Sequence, residues 1–327
     1  MGIQYLNKYI KKMTTHDAIC KVMLNELSNK IIAIDTSIYL YKFISNNSLL
    51  ESIYVMIILF KQHRITPIFV FDGIPPIEKQ SIIIKRQKDK LDAQTKCEEL
   101  EQKLNLSTTS AEQLELLDDI SALKKKFIKL RKKDIERVRN LMDAFGVCNI
   151  EAQGEADELC AKLVITKKAY ACLSEDMDLF LYGCPRVLRY LSLANSTCVI
   201  YYLDKIINDL NISFKEFKEI CVLSGSEYIT NNTFNLYSIL HYFKEFKEAK
   251  EAKKDNPLVS YNFYEWFYKN NNIKTTIPLT ELYNAYSMYQ ISSTNLPIQV
   301  THLNLEKPIN YNKVKEIMQP EGFLFIE

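Results

Sequence analysis

Carboxylates stand at the ends of several short apolar runs in this sequence. The runs "IIAID" and "IFVFD" end in Asp35 and Asp72, and "YACLSEDMD" ends with Asp176 and Asp178. The spacing of Asp176 and Asp178 directs both side chains the same way from an extended chain. Acids gathered in one cleft would repel strongly, and divalent cations with a preference for oxygen, such as Mg²⁺, relieve that repulsion.

A further pair of acids, Glu155 and Asp157 in "GEADE", has the same spacing at the start of a predicted helix. Any one such acid, taken alone, is most often a turn or helix-cap residue. The complete set at matching positions favours a metal site instead. Two ions about 4 Å apart can clamp a phosphodiester, activate water and stabilise the leaving oxygen. We therefore expect two Mg²⁺ ions, for which Mn²⁺ can substitute.

The elements that would position these acids form an alternating pattern of strands and helices. Residues 30–35 and 66–72 are predicted as buried parallel strands, with a helix between them. Further strands are predicted at 147–150, 170–174, 186–190 and 198–202. This alternation predicts an α/β sheet covered on both faces. Ligands of such sheets bind beyond the carboxyl ends of the strands, where the acids lie.

A long, charged and helical stretch interrupts this pattern between residues 80 and 140. It is predicted as two helices, the second running from 110 to 146, joined near "NLSTTS". The densest basic run falls on the second helix and comprises Lys124, Lys125, Lys126, Lys129, Arg131, Lys132 and Lys133. A solvated helix face is the default interpretation of such a run, and phosphate contact is the functional one. From about residue 212 the chain is predicted to be helical again.

Composition restricts the class of protein. The 327 residues are 47% hydrophobic and 25% charged, with a net charge of +2, which is typical of a globular protein. No run is long enough for a membrane span, and the N-terminus has no apolar signal region. The eight cysteines form no C-x-x-C pair and have no histidine at zinc spacing. We expect free thiols in a reducing compartment, the nucleus or a cytoplasmic replication site.

The chain contains the motifs "IAIDTSIYLYKF", "PIFVFDGIPP", "GEADELCAKL", "SEDMDLFLYG" and "CVLSGSEY". Together they resemble the motifs of the flap endonuclease group of structure-specific 5′ nucleases. The resemblance implies a PIN-like fold: a mixed, mostly parallel sheet flanked by helices, with a helical arch insertion and a C-terminal helical DNA-binding region. The implied divisions are 1–79 (N-terminal nuclease region), 80–140 (arch), 141–230 (internal nuclease region) and 231–327 (divergent C-terminal region).

The same resemblance implies roles for individual residues. The implied metal ligands are Asp35, Asp72, Glu155, Asp157, Asp176, Asp178 and Glu227. The family usually has Asp at the last position, so Glu227 is longer by one methylene. Lys79 and Arg86 match a basic pair that would hold the scissile phosphate and offset transition-state charge. The implied DNA-binding residues are Gly2, Tyr41, Lys125, Lys126 and Lys129, with Tyr41 stacking on a base. From spacing alone, Tyr41 would more often be a core aromatic.

The function implied is an Mg²⁺-dependent 5′ flap endonuclease with 5′–3′ exonuclease activity on branched DNA in replication or repair. A non-catalytic branched-DNA-binding or scaffold protein of the same fold is the alternative, and a small RNase of related fold is a third. The family's glycine-rich hairpin after "LSGSEY" is replaced by "ITNNTFNLYSILHYF". The sequence "QPEGFLFI" matches a sliding-clamp box poorly. We expect a monomer without a membrane contact or a standard clamp peptide.

Overall fold

A seven-stranded sheet forms the centre of the molecule in the computed structural model. The structure describes residues 3–106, 110–124, 126–229, 234–252, 262–270, 275, 277–291, 305 and 307–325. The strands are β1 (Ile19–Met23), β2 (Ile31–Asp35), β3 (Thr66–Phe71), β4 (Cys148–Glu151), β5 (Ala171–Leu173), β6 (Arg186–Ser192) and β7 (Thr197–Tyr202). Their order across the sheet is β1-β7-β6-β5-β2-β3-β4.

Most neighbouring strands in this sheet are parallel. The pairs β6–β5, β5–β2, β2–β3 and β3–β4 run parallel, while β7 and β1 add an antiparallel edge. The predicted fold class, a mixed and mostly parallel sheet flanked by helices, is confirmed. Strand β1 was not predicted, because its half-exposed residues at the sheet edge lack the continuous apolar run of a buried strand.

Helices cover both faces of the sheet, which therefore has two cores. Ile32 and Ile34 of β2 point into one core, and Ala33 between them points into the other, as the two-residue period of a strand requires. The helices are α1 (Leu6–Met13), α2 (Thr36–Ser45), α3 (Leu49–Gln62), α4 (Gln80–Leu106), α5 (Ser110–Lys124), α6 (Lys132–Ala144), α7 (Ala156–Ile165), α8 (Leu203–Leu210), α9 (Phe214–Leu223), α10 (Leu236–Ala252), α11 (Phe263–Lys269), α12 (Leu279–Met288) and α13 (Tyr311–Met318).

The helix predicted from 110 to 146 is two helices in the structure, which corrects that prediction. Helix α5 ends at Lys124 and α6 begins at Lys132, and the residues described between them are not helical. Helix α6 has its own N-terminal cap, because the Asp134 carboxylate accepts the backbone N–H of Arg131 at 3.0 Å. Helix α5 packs on α4, and α6 packs against α3.

The described segments after α9 are mostly helical and pack back onto the part of the chain that contains the sheet. Helices α10 and α12 contact α9, and α13 contacts α6. Val314 and Met318 of α13 are buried in the same core as β2 residues Ile32 and Ile34. In the part of the chain that the structure describes, no helix has both the length and the apolar character needed to cross a membrane.

A buried acid on α9 gives a test of this packing. Burial raises the pKa of Glu219 to about 7, against the partial compensation of Lys215, whose Nζ lies 3.9 Å from Oε1. Lys250 also lowers this pKa, while Glu216 and Glu265 raise it. The folded state binds the Glu219 proton more tightly than the unfolded state does. The contribution of Glu219 to the free energy of unfolding therefore falls as the pH rises from about 4.5 to 7.

Replacing this acid with its neutral isostere should therefore stabilise the fold only at higher pH. We expect Glu219→Gln to raise the free energy of unfolding at pH 8 by roughly 1–3 kcal/mol, since one pKa unit corresponds to about 1.4 kcal/mol. The gain should shrink as pH falls towards 4.5. Chemical denaturation at pH 5 and pH 8 measures it, and an equal gain at both values would show that the carboxylate is not penalised by burial.

Candidate active site

The predicted acids lie at the carboxyl ends of four adjacent parallel strands. Asp35 is the last residue of β2, and Asp72 follows β3 directly. Asp176 follows β5, and Glu155 precedes α7 in the connection after β4. Since β5, β2, β3 and β4 are neighbours in that order, their ends bring these carboxylates to one edge of the sheet.

These side chains surround a single cavity of about 160 Å³. Its lining includes every predicted metal ligand except Asp178, together with both predicted phosphate-binding cations and the predicted stacking aromatic. The lining residues are Asp35, Ser37, Ile38, Tyr41, Asp72, Lys79, Arg86, Glu155, Asp157, Asp176 and Glu227. The structure thus brings together residues that are up to 192 positions apart in the chain, from Asp35 to Glu227.

Short hydrogen bonds fix the orientation of the strand-end acids. Ser174 donates its hydroxyl to Asp35 Oδ2 at 2.8 Å. Asp72 accepts the Ser37 hydroxyl at Oδ2 and the backbone N–H of Ala156 at Oδ1, the latter at 2.9 Å. Each of these carboxylates therefore keeps a defined rotamer at the rim of the cavity.

Gly73 allows the loop after β3 to approach the loop before α7. A Cβ atom at this position would lie 1.9 Å from the Ala152 carbonyl oxygen, which no side chain can tolerate. The Gly73 N–H instead donates to the Gly154 carbonyl at 2.8 Å. This close approach sets Asp72 beside the start of α7, where Glu155 and Asp157 stand.

Both predicted phosphate-binding cations are paired with acids of the cavity. Lys79 Nζ lies 2.6 Å from Glu155 Oε2 and 2.9 Å from Glu227 Oε2, and it is 7% exposed. The Arg86 guanidinium lies 2.7 Å from Glu227 Oε1, and its side chain is 54% exposed. Glu227 therefore bridges the two cations, an arrangement that spacing in the sequence could not show.

Burial and mutual repulsion shift the acidity of this cluster. Burial, then the charge of Asp72, raises the pKa of Asp35 to about 7. Burial also raises the pKa of Glu155, partly offset by Lys79, and raises that of Asp157 well above its usual range. For Glu227, burial is outweighed by Lys79 and Arg86, so its pKa is lowered. Keeping these buried carboxylates ionised costs free energy, and a bound cation would reduce that cost.

Asp178 does not line the cavity, and it is held by a residue that sequence reasoning missed. It is 2% exposed, and its Oδ2 accepts the hydroxyl of Tyr289 at 3.0 Å. Its Oδ1 is buried without a hydrogen-bond partner in the described part of the molecule. Burial, then the charges of Asp176 and Glu227, raises the pKa of Asp178 well above its usual range. Tyr289 is 111 residues away and carries no motif that would have signalled this contact.

The donor chemistry fits a hard divalent cation, although the side-chain positions do not form a closed ligand set. Among the described residues, no three Asp, Glu, His or Cys side chains are grouped so that they could hold a metal ion as they stand. Glu155 and Glu227 are engaged by Lys79 instead. The unpartnered Asp178 Oδ1 and the carboxylates of raised pKa are nevertheless oxygen donors of the kind that Mg²⁺ prefers.

The predicted DNA-binding residues fall into two groups. Tyr41 lines the cavity and is 42% exposed, with Lys90 Nζ 5.4 Å from its ring centroid, so it is not the core aromatic that spacing alone favoured. Lys126 and Lys129 are exposed between α5 and α6, and neither lines the cavity. Gly2 and Lys125 lie outside the described residues. Phosphate contact by the lysines stays a prediction.

Comparison with known proteins shows the family. The XPG N-terminal domain matches residues 1–93, and the XPG I-region matches residues 146–227, which carry the predicted acids of the second half. Flap endonuclease 1 of Xenopus tropicalis is 28% identical over 246 residues, covering 70% of this chain and 61% of that protein. The human flap endonuclease 1 is 26% identical, with 70% and 62% covered. The chain belongs to the flap endonuclease and XPG-type nuclease family, and the match spans about three-fifths of the length of these relatives.

Solved structures share the whole fold. The catalytic core of Rad2 in complex with a DNA substrate has a TM-score of 0.66 at 20% identity, covering 98% of this chain and 95% of that one. The flap endonuclease-1 from Methanococcus jannaschii has a TM-score of 0.60 at 20% identity, covering 98% and 93%. Human GEN1 in complex with Holliday junction DNA has a TM-score of 0.61 at 14% identity, covering 98% and 73%.

Proposed function

We propose that this protein is a divalent-metal-dependent, structure-specific nuclease that cuts branched DNA as a 5′ flap endonuclease with 5′–3′ exonuclease activity. The observation that carries the proposal is the cavity in which six predicted acids, Lys79, Arg86 and Tyr41 meet. Membership of the family supports hydrolysis of phosphodiester bonds during replication or repair. The flap specificity rests on the closer resemblance of the motifs to flap endonucleases.

Each group in the cavity has a definable task on a phosphodiester. Two Mg²⁺ ions, held by the seven acids, would supply an activated water and neutralise the leaving oxygen. Arg86 is half exposed, so its guanidinium can leave Glu227 and donate to a phosphate oxygen. Lys79 is buried, and its charge stays at the base of the cavity to offset the charge that develops on the phosphate.

Tyr41 supports recognition of a nucleobase beside the scissile phosphate. Its side chain lines the cavity and is 42% exposed. An exposed aromatic next to a catalytic cavity can stack on an unpaired base, which is worth about 1–3 kcal/mol and is tolerant of sequence. An end or branch of DNA provides such a base more easily than a continuous duplex does.

One observation favours the alternative, a branched-DNA-binding protein that does not cut. Glu227 is paired with both Lys79 and Arg86 and is longer than the Asp usual in the family, so it is the acid least free to serve as a ligand. A protein of that kind would bind flap DNA with comparable affinity in Mg²⁺ and in EDTA and would give no product.

Cleavage of a 5′-labelled double-flap DNA tests the proposal. We expect a single major product cut close to the flap base in Mg²⁺ or Mn²⁺, and no product in EDTA. Matched substrates, namely a blunt duplex, a single strand and a four-way junction, measure structural specificity. Tight binding without any product in either metal would favour the non-catalytic alternative. Preferential cutting of the four-way junction would reject the flap assignment while keeping nuclease activity.

Arg86→Ala should slow the chemical step more than it weakens DNA binding. We expect a roughly 10²-fold lower single-turnover rate at saturating enzyme, since a contact made in the transition state is lost. The dissociation constant for flap DNA should change little. Lys85→Ala, which removes the neighbouring exposed cation, is the matched control. An unchanged saturating rate with weaker binding would make Arg86 a simple phosphate anchor.

A further inference from the structure

Tyr289 connects the divergent C-terminal region to the acid cluster. It follows α12, and its hydroxyl lies 3.0 Å from Asp178 Oδ2 and 3.1 Å from the Ser226 hydroxyl. A tyrosine hydroxyl carries one proton, and Tyr289 donates it to Asp178, so Ser226 donates to the Tyr289 oxygen. The result is a chain of two hydrogen bonds that ends on one oxygen of a predicted metal ligand.

The position of Tyr289 is fixed from several sides. It is 1% exposed, and its ring makes edge contacts with Tyr182 at 5.2 Å and Tyr228 at 5.3 Å between centroids. Its backbone carbonyl accepts the ammonium of Lys218 at 2.8 Å. Lys218 is itself buried, and burial lowers its pKa to about 8. A buried cation committed to this carbonyl holds the whole residue in place.

We infer that Tyr289 is a positioning residue for the metal centre, acting through Asp178. Its hydroxyl ties down Oδ2, so the carboxylate can rotate only by breaking that hydrogen bond, and Oδ1 is left as the oxygen that would reach a divalent cation. Hydrogen bonds of this kind, made to a ligand rather than to the metal, orient carboxylate ligands and tune their affinity.

This role assigns a function to a part of the chain that lies far from the recognisable motifs. The region after residue 227 lies outside both matched XPG domains, yet it supplies the group that holds Asp178. The inference rests on the proposed metal-dependent function, and it concerns how this chain prepares its own ligand. A purely structural tyrosine would stabilise the fold without changing how tightly the centre holds its cation.

Calorimetric titration of Mn²⁺ into DNA-free protein separates these roles. We expect Tyr289→Phe, which keeps the ring and removes only the hydroxyl, to weaken Mn²⁺ binding by about tenfold or more. Flap cleavage should need correspondingly more metal and should recover partly at high Mn²⁺ concentration. DNA affinity in EDTA should stay unchanged.

Tyr264→Phe is the matched control. Tyr264 is also 1% exposed, and its hydroxyl has no hydrogen-bond partner among the described residues, so the same chemical change there should leave Mn²⁺ affinity as in the unaltered protein. Tyr289→Phe with unaltered Mn²⁺ affinity would overturn the inference, whether or not its melting temperature falls. If the unaltered protein neither binds Mn²⁺ nor cuts DNA, the proposed function fails as well.

A second variant keeps the inference testable if Tyr289→Phe does not fold. Lys218→Met removes the cation that holds the Tyr289 carbonyl and leaves a side chain of similar length in the same space. We expect it to weaken Mn²⁺ binding in the same direction by a smaller factor. Normal Mn²⁺ affinity in folded Lys218→Met protein, together with loss of folding in Tyr289→Phe, would mean that Tyr289 serves stability alone.

Discussion

Asp176→Ala should abolish DNA cleavage while leaving DNA binding largely intact. The Asp176 carboxylate lies at the end of β5, lines the cavity and accepts the backbone N–H of Asp178 at 3.0 Å. Its loss would remove a proposed metal ligand and loosen Asp178, the next one, without touching surfaces that would contact a duplex. We expect a rate loss on the order of a thousandfold or more, equivalent to about 4 kcal/mol of transition-state stabilisation.

Single-turnover cleavage of flap DNA and a binding titration in EDTA measure the two effects separately. Asp204→Ala removes an exposed acid on α8 and is the control for loss of one negative charge. Near-normal turnover of Asp176→Ala at low millimolar Mg²⁺ would reject the assigned site. Loss of DNA affinity in parallel with activity would indicate that Asp176 supports the fold rather than the reaction.

Lys79→Met should reduce both activity and stability. The ammonium is the shared partner of Glu155 and Glu227, and all three side chains are largely buried. Removing one member of a buried ion pair leaves uncompensated charge, which typically costs about 3–5 kcal/mol. Loss of a positive charge beside the reacting phosphate should lower the single-turnover rate by roughly 10²–10³-fold.

The conservative variant Lys79→Arg separates the two effects. It keeps a positive charge between the acids, so we expect it to regain most of the lost melting temperature. It should regain less of the rate, because a guanidinium fills the small cavity differently from an ammonium. If Lys79→Met melts like the unaltered protein and cuts at a normal rate, the two ion pairs have no role in either stability or catalysis.

The strand-end acids could be predicted from the sequence because a simple geometric rule governs them. Parallel strands end at one edge of the sheet, so Asp35, Asp72 and Asp176 had to approach each other once the strands were identified. The sheet and the meeting of these three acids follow from that rule, whereas Glu227, which follows α9 and not a strand, was predicted only through the family resemblance. Strand β1 escaped prediction because a half-exposed edge strand has no distinctive apolar pattern.

Contacts between distant segments could not be predicted in the same way. The bridge from Glu227 to Lys79 and Arg86 depends on where α9 ends relative to the start of α4. The hydrogen bond from Tyr289 to Asp178 depends on how α12 packs against α9. Neither the spacing of side chains nor the hydrophobic period of the sequence indicates how these helices are placed relative to one another. The break between α5 and α6 was missed because the cap at Asp134 lies inside a continuous run of charged residues.

We propose that this cavity binds the divalent cations on which cleavage depends. Crystals of the protein soaked in Mn²⁺ and measured at the manganese absorption edge test it directly, because anomalous density locates the ions without reference to activity. We expect two anomalous peaks within the cavity bounded by Asp35, Asp72 and Asp176, with Asp178 contributing a ligand oxygen. Absence of any peak there, in crystals of protein that cuts flap DNA in Mn²⁺, would contradict it.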